Sequence, residues 1–202
     1  MPKASRSGCC EVSHYIDNFR DPNSNYISEM VDCSTSTADI SLIGIPYDGG
    51  ILSHRRGARL APNFVRKVLY NFTNYCSNHE IELSGLKIGD YGDLVLEYSN
   101  SNIYDQIQSA LIKYIKPTKM TIILGGDHSI TYPSFKGITK LMEEGNEIIN
   151  LVVIDQHYDV REYDLVNSGS WLRYLLLDRE VIYNCRVSRI PIPRKIYKNP
   201  KG

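Results

Sequence analysis

The chain has 202 residues, with 23 basic and 23 acidic side chains, so its formal net charge is zero. This length suits one domain with a sizeable core, and the balanced charge gives no indication of a nucleic-acid or anionic-membrane partner. No apolar stretch approaches the length of a membrane span, and the five cysteines are scattered without metal-site spacing. We therefore expect a cytoplasmic protein with free thiols that binds neither nucleic acid nor membrane.

The N-terminal part of the chain is polar and weakly periodic, which predicts a tail over residues 1–38 that partly wraps an α/β domain over residues 39–185. Ile40–Ile45 predicts the first strand of that domain. Pro46–Arg59 predicts a long basic loop. Two interpretations remain open: the loop borders the entrance to a substrate site or an oligomer contact, or it is a solvated surface loop. A helix is expected from Pro62 to Phe72, since proline in the first helical turn costs no hydrogen bond.

Alternating strand-like and helix-like segments follow. Leu86–Ile88 predicts a short strand leading into the acidic pair Asp90 and Asp93, for which we favour a structural role over a metal site. Ile103–Ile115 has apolar residues at helical spacing and ends just before a proline, which predicts a helix.

Two apolar runs in the second half of the chain each end in a cluster of potential metal ligands. Met120–Leu124 leads into Gly125–Ser129, and Ile148–Ile154 leads into Asp155–Asp159, with a helix expected between them from Pro133 to about residue 144. Short branched apolar runs are typical of parallel strands covered on both faces, and ligands bind beyond the carboxyl ends of such strands. Strands separated by helix-length segments predict a three-layer α/β/α sandwich with a mainly parallel sheet.

The spacing of Asp155, His157 and Asp159 indicates a metal site. Side chains alternate along an extended chain, so these three would share one face, and His128 would join them from a neighbouring strand end. One or two imidazoles with two carboxylates suit a divalent ion of intermediate hardness, with Mn2+ preferred over Zn2+ and Fe2+. The alternative is two ordinary polar turns at strand ends; the presence of both clusters favours the metal site.

The C-terminal part is less regular. Trp171–Leu177 predicts a helix and Val181–Tyr183 a further strand. Residues 186–202 contain six basic residues, no acidic residue and three prolines, which predicts a disordered or abnormal basic tail rather than a nucleic-acid-binding segment.

The motifs resemble those of the ureohydrolases, the family of arginases, agmatinases, guanidinobutyrases and formimidoylglutamases. The resemblance covers roughly Ile40 to Tyr183 and implies an arginase-like fold that is incomplete at its C-terminus. It is carried, in family order, by Gly44–Gly50, Arg56–Arg59, Gly89–Asp93, Gly125–Ser129 with Pro133, and Ile154–Asp159.

The resemblance also implies a reaction, the hydrolysis of a C–N bond in a linear amidine or guanidine by a hydroxide that two Mn2+ ions generate. It implies that His128, Asp155 and Asp159 hold one ion and that Asp155 bridges to a second ion, which His157 also binds. Asp155 and His157 are then the expected catalytic residues. The family's third motif, Ser-x-Asp-x-Asp-x-x-Asp-Pro, does not occur in the sequence. We therefore expect the chain to bind at most one ion with useful affinity and to have little or no hydrolase activity.

Substrate-binding residues are expected just after the second cluster. Arg161 would bind a substrate carboxylate bidentately. Ser168 stands where many ureohydrolases have a histidine, and the Ser168–Gly169 turn in place of a His-Gly pair resembles formimidoylglutamases better. Arg161, Asn167 and Ser168 are thus the predicted substrate-binding residues, with formimidoylglutamate slightly ahead of agmatine. Gln156 replaces the family's usual alanine beside the metal.

Two hypotheses remain open at this point. The first is an amidine or guanidine hydrolase that forms a homo-oligomer when intact. The second is a catalytically inactive, truncated ureohydrolase remnant that binds a metal or a protein partner.

Overall fold

The structure is a computed structural model that describes residues 12–17, 19–32, 38–52, 56–98, 102–115, 120–142, 149–182 and 185–190. His54 and Arg55 of the predicted basic loop, and residues 191–202 of the predicted tail, lie outside these ranges. The strands are β1 (Val31–Asp32), β2 (Ile40–Ile45), β3 (Tyr75–Cys76), β4 (Ile81–Glu82), β5 (Ile88–Asp93), β6 (Met120–Gly125), β7 (Ile149–Ile154) and β8 (Cys185–Ile190). The α-helices are α1 (Ala61–Leu69), α2 (Ile103–Tyr114), α3 (Thr131–Met142), α4 (Trp171–Leu177) and α5 (Arg179–Ile182).

The larger sheet has the strand order β1-β5-β2-β6, and all of its pairs are parallel. Its central strand β2 is buried along nearly its whole length. Ile43 and Ile45 pack with Ile107 of α2 on one face, whereas Leu42 packs with Tyr70, just after α1, on the other. Helices therefore cover both faces of the sheet, and the mainly parallel α/β sandwich expected from the apolar runs is confirmed.

A second, smaller sheet contains β7 and β8, which are parallel over six residue pairs. Its inner face packs against α3 and α4 through Val153, Phe135 and Trp171. Among the described residues β6 pairs only with β2, and β7 only with β8. β6 and β7 are therefore not the neighbouring strands that we expected; α3 lies between them in the chain, packs against α2, and contributes Phe135 to the core of the smaller sheet.

Two predicted boundaries differ from the structure. The β-branched run at Val181 favours a strand locally, but the short helix α5 buries Val181 against Trp171 and Leu175, and the strand begins later, at Cys185. β8 therefore includes residues 186–190, which belong to the predicted C-terminal tail. Strand β5 begins at Ile88 and contains the acidic pair rather than preceding it.

Part of the predicted N-terminal tail packs on the domain. Ile27 is buried, and its backbone N–H donates to the carbonyl oxygen of Phe72 at 2.9 Å. The Arg20 guanidinium donates to Ser28 and to the backbone oxygen of Tyr70. Within the described ranges no helix is long and apolar enough to cross a membrane.

Candidate metal centre

His128 lies directly beyond the carboxyl end of β6, in a short 3-10 turn of residues 128–130. The carboxylate of Asp127 caps this turn by accepting the backbone N–H of Ser129 at 2.7 Å. The turn continues without interruption into α3. The carboxylate of Asp127 therefore builds the turn that orients His128.

The turn is also tied to the loop that follows β2. The second carboxylate oxygen of Asp127 accepts the N–H of Gly50 at 2.9 Å, and the Asp127 N–H donates to the carbonyl oxygen of Tyr47 at 2.8 Å. A Cβ atom at Gly126 would collide with that same carbonyl oxygen. Glycine is required here because two backbone segments touch. Tyr47 and Gly50, in the first half of the predicted loop, thus hold the turn that contains His128 in place.

Asp155 follows β7 and starts a turn. Its carboxylate accepts the backbone N–H of His157 at 2.8 Å, a local side-chain bond that bends the chain immediately after the strand. The extended alternation that we expected to place Asp155, His157 and Asp159 on one face ends at Ile154. The geometry that gathers the ligands is therefore a loop and not a strand.

Asp159 is held by the first turn of α4. Its φ of 51° lies in the left-handed region, which Asp tolerates better than most residues. The backbone oxygen accepts the N–H groups of Leu172 and Arg173, and the carboxylate accepts the indole N–H of Trp171 at 2.8 Å. Both the backbone and the side chain of Asp159 are thus anchored to one helix.

These three side chains converge. The Nδ1 atom of His128 lies 3.0 Å from an oxygen of Asp155 and 3.2 Å from an oxygen of Asp159. One donor atom from each residue falls within 4.8 Å of the others, the only such group found in the part of the chain that the structure describes. An octahedral ion with ligands at about 2.1 Å separates neighbouring ligands by about 3.0 Å. One imidazole and two carboxylates at these separations fit a shared divalent ion.

His157 lies outside this group. Its Nδ1 atom is 3.6 Å from the other oxygen of Asp155, and its side chain is 61% exposed. The bend after Asp155 directs His157 toward the rim of the site rather than into it. Three of the four predicted metal ligands are therefore brought together, and the fourth stands beside them.

The charge of Asp155 is favoured by its surroundings. Burial alone raises the pKa of its carboxyl, but the bond from the His157 backbone N–H and the nearby His128 and His157 side chains outweigh burial. The net effect lowers the pKa below its ordinary value. An ionised carboxylate is the form that binds a divalent ion.

A cavity of about 520 Å³ adjoins the converging ligands, and its lining includes His157, Asp159, Arg161 and Ser168. The side chain of Asn167 is used differently, because its oxygen accepts the Gly169 N–H at 2.9 Å and its nitrogen donates to the Leu165 carbonyl. Two of the three predicted substrate-binding residues thus face the cavity, while Asn167 shapes the turn that presents Ser168.

Trp171 is the residue that sequence reasoning missed. It was predicted only as the start of a helix, yet it touches two of the three candidate ligands: its indole N–H donates to Asp159, and its ring centroid lies 4.6 Å from that of His128. Its one distinguishing mark in the sequence is that no other tryptophan occurs. The presence of a single tryptophan does not indicate that its side chain contacts Asp159 and His128.

The sequence model of the arginase family matches residues 38–192. The chain is 34% identical over 139 residues to an agmatinase of Pyrococcus horikoshii, which covers 66% of this chain and 45% of the agmatinase. It is 31% identical over 126 residues to a formimidoylglutamase of Halalkalibacterium halodurans, which covers 61% of this chain and 38% of that enzyme. The chain therefore spans less than half the length of these two relatives.

Solved structures show the same architecture. The formimidoylglutamase of Bacillus subtilis superposes with a TM-score of 0.71 at 22% identity, over 86% of this chain and 54% of its own. The formiminoglutamase of Trypanosoma cruzi with Mn2+ superposes with a TM-score of 0.65 at 23% identity, over 78% of this chain and 54% of its own. At these identities the likeness establishes a shared mainly parallel α/β fold.

Proposed function

Because the chain belongs to the arginase family, we propose that His128, Asp155 and Asp159 hold one divalent ion, with Mn2+ preferred, in a centre that hydrolyses C–N bonds of linear amidines or guanidines. The observation that carries the proposal is the convergence of their three donor atoms within 4.8 Å beyond the ends of β6 and β7. A bound divalent ion lowers the pKa of water toward neutrality and so supplies the nucleophile.

The roles of the surrounding residues follow from their positions. The lowered pKa of Asp155 favours its ionised form further, and the negative charge of that carboxylate would offset part of the charge of the ion. The exposed imidazole of His157 lines the adjoining cavity, where it would accept or donate a proton near the substrate. This is the catalytic role that we propose for His157; a second-ion role has less support, because the described residues contain no second group of three converging ligand atoms.

Arg161 at the cavity wall would favour a substrate that carries a carboxylate. Arg161 is exposed at its wall, and its backbone N–H donates to the Gly169 carbonyl at 3.0 Å, which fixes the base of the side chain. A guanidinium attracts a carboxylate and repels a cationic amine such as agmatine. Formimidoylglutamate is therefore preferred over agmatine, with Ser168 as a neutral hydrogen-bonding partner at the same wall.

A second candidate function is ion binding without turnover. It is favoured by the arrangement of ligands, since the described residues form a single group of three donors and His157 stands apart. A single ion with three protein ligands has fewer groups to hold and activate water than a two-ion centre. The two candidates share the same ion site and differ only in product formation.

The discriminating experiment uses the purified chain. Calorimetric titration with Mn2+ is expected to give one ion per chain, and the loaded chain is then incubated separately with formimidoylglutamate and agmatine. The hydrolase candidate predicts that formamide is released faster than urea and that Asp155→Ala abolishes product formation, whereas both candidates predict that Asp155→Ala abolishes ion binding. Detection uses chromatographic measurement of formamide and urea.

Each result has a defined meaning. One bound ion with neither product supports the second candidate. Faster urea release from agmatine would contradict the proposed preference for formimidoylglutamate. An absence of Mn2+ binding would contradict the proposed metal site. Turnover that survives Asp155→Ala would show that the product comes from a contaminating enzyme or another site.

A further inference from the structure

Trp171 connects two of the three proposed metal ligands. It begins α4, is 1% exposed, and lies in a core cluster with Phe135 of α3, Leu172 of α4 and Val153 of β7. Its indole Nε1 donates to Asp159 Oδ2 at 2.8 Å. Its ring also packs against the His128 imidazole at a centroid distance of 4.6 Å and an interplanar angle of 38°. One rigid side chain thus limits the movement of both ligands.

The same helix fixes the backbone of Asp159. The Leu172 and Arg173 N–H groups donate to the Asp159 carbonyl oxygen at 3.2 and 3.3 Å, and the Asp159 φ of 51° places its side chain in an uncommon direction. With the backbone held this way, the indole bond selects one orientation of the carboxylate. The oxygen that accepts the indole N–H is also the one 3.2 Å from His128 Nδ1.

An indole N–H is well suited to this task. It is a donor only, carries no charge and does not titrate, so it neither competes for the ion nor releases the carboxylate when the pH changes. A carboxylate oxygen has a second lone pair and can still face an ion while it accepts the indole bond. Outer groups of this kind orient metal ligands and tune affinity.

We propose that Trp171 is a positioning residue of the metal centre, which holds the Asp159 carboxylate and the His128 ring in the arrangement that binds the ion. This inference rests on the proposed function, because it requires an ion at His128, Asp155 and Asp159. It adds to that function a residue outside the ligand set, placed in the core, that determines affinity for the ion.

The test compares Mn2+ affinity in three forms of the chain by calorimetric titration: the unmodified chain, Trp171→Phe and Val181→Ala. Phenylalanine keeps an aromatic ring beside His128 but removes the indole donor to Asp159. Val181 lies in the same core cluster without being one of the proposed ligands, so Val181→Ala is the matched control for lost packing. The unfolding temperature of each form is measured without metal.

We expect Trp171→Phe to weaken Mn2+ binding by about tenfold to a hundredfold, the range for lost outer-shell partners. Val181→Ala should lower the unfolding temperature without a comparable loss of affinity. Because the chain has a single tryptophan, Mn2+ should also quench the indole fluorescence of the unmodified chain at the concentrations that saturate the calorimetric signal.

The outcomes separate the two proposals. Tight Mn2+ binding by the unmodified chain together with equal binding by Trp171→Phe overturns the positioning role and leaves the proposed function intact. Equal losses of affinity in Trp171→Phe and Val181→Ala also overturn it, since the effect would then be general destabilisation. Failure of the unmodified chain to bind Mn2+ overturns both proposals.

Discussion

His128 and His157 show how strongly local geometry separates two residues of the same type. His128 is held in a capped turn, and its Nδ1 atom lies within 3.2 Å of two carboxylates. His157 lies past the bend that Asp155 creates and contacts one carboxylate at 3.6 Å. Only the first belongs to the group of three residues whose possible ligand atoms converge, although both belong to the motifs that suggested a metal site.

This difference predicts unequal effects of removing the two imidazoles. His128→Ala should weaken Mn2+ binding by at least about tenfold, because a lost ligand costs no less than a lost outer-shell partner. His157→Ala should leave Mn2+ affinity close to that of the unmodified chain and serves as the matched control. Calorimetric titration at a fixed pH measures both; an equal loss in the two variants would show that His157 is a ligand after all.

At the scale of elements, α1 and β5 are joined by a buried ion network. The guanidinium of Arg66 contacts Asp90 at 2.7 Å and Asp93 at 2.5 Å, and the Tyr70 hydroxyl also donates to Asp90. Burial alone lowers the pKa of Arg66, but its bonds to Asp90 and the charges of both carboxylates raise it overall. The structural role expected for the acidic pair agrees with this placement.

Breaking this network should destabilise the fold. Arg66→Met leaves the buried Asp90 carboxylate without its cation, and we expect a loss of about 3–5 kcal/mol in the free energy of unfolding. Arg59→Met is the matched control, because Arg59 is largely exposed and lies 3.7 Å from Asp48, so its loss should cost about 0–1 kcal/mol. Urea titration followed by circular dichroism gives both values. Similar losses for the two variants would contradict this account.

At the scale of the whole molecule, the four-stranded sheet and the β7–β8 sheet have different degrees of coverage. β2 is buried on both faces, whereas the outer face of the β7–β8 sheet exposes Val152, Ile154 and Ile190. Among the described residues β6 and β7 each have one paired side. Exposed apolar strands with open edges are typical association surfaces.

This exposed face predicts self-association of the chain at micromolar concentrations. Val152→Lys places a charge in the middle of β7 and should shift the chain toward monomer in sedimentation velocity. Leu177→Lys changes a comparably exposed apolar residue at the end of α4 and should leave association unchanged. Association that persists in Val152→Lys, or that is lost equally in Leu177→Lys, would exclude this face as the contact.

The sequence by itself determined the strands and helices that carry strong periodicity. The apolar runs that begin at Ile40 and Met120 form strands, and the helical spacing after Ile103 forms α2. The spacing of apolar residues along the chain determines which face of an element can be buried, so these elements can be predicted from the sequence. The same reasoning located the candidate ligands His128, Asp155 and Asp159, because the turns that contain them come directly after the predicted strands.

Only the tertiary structure decided which of these groups meet. The bend after Asp155 removed His157 from the group, and core packing made Val181 part of a helix. The contact between Trp171 and Asp159 joins residues whose neighbourhood depends on how α4 packs, which no local pattern specifies. Local preferences in these segments are small compared with the free energy of burying their side chains, so tertiary packing determined the outcome.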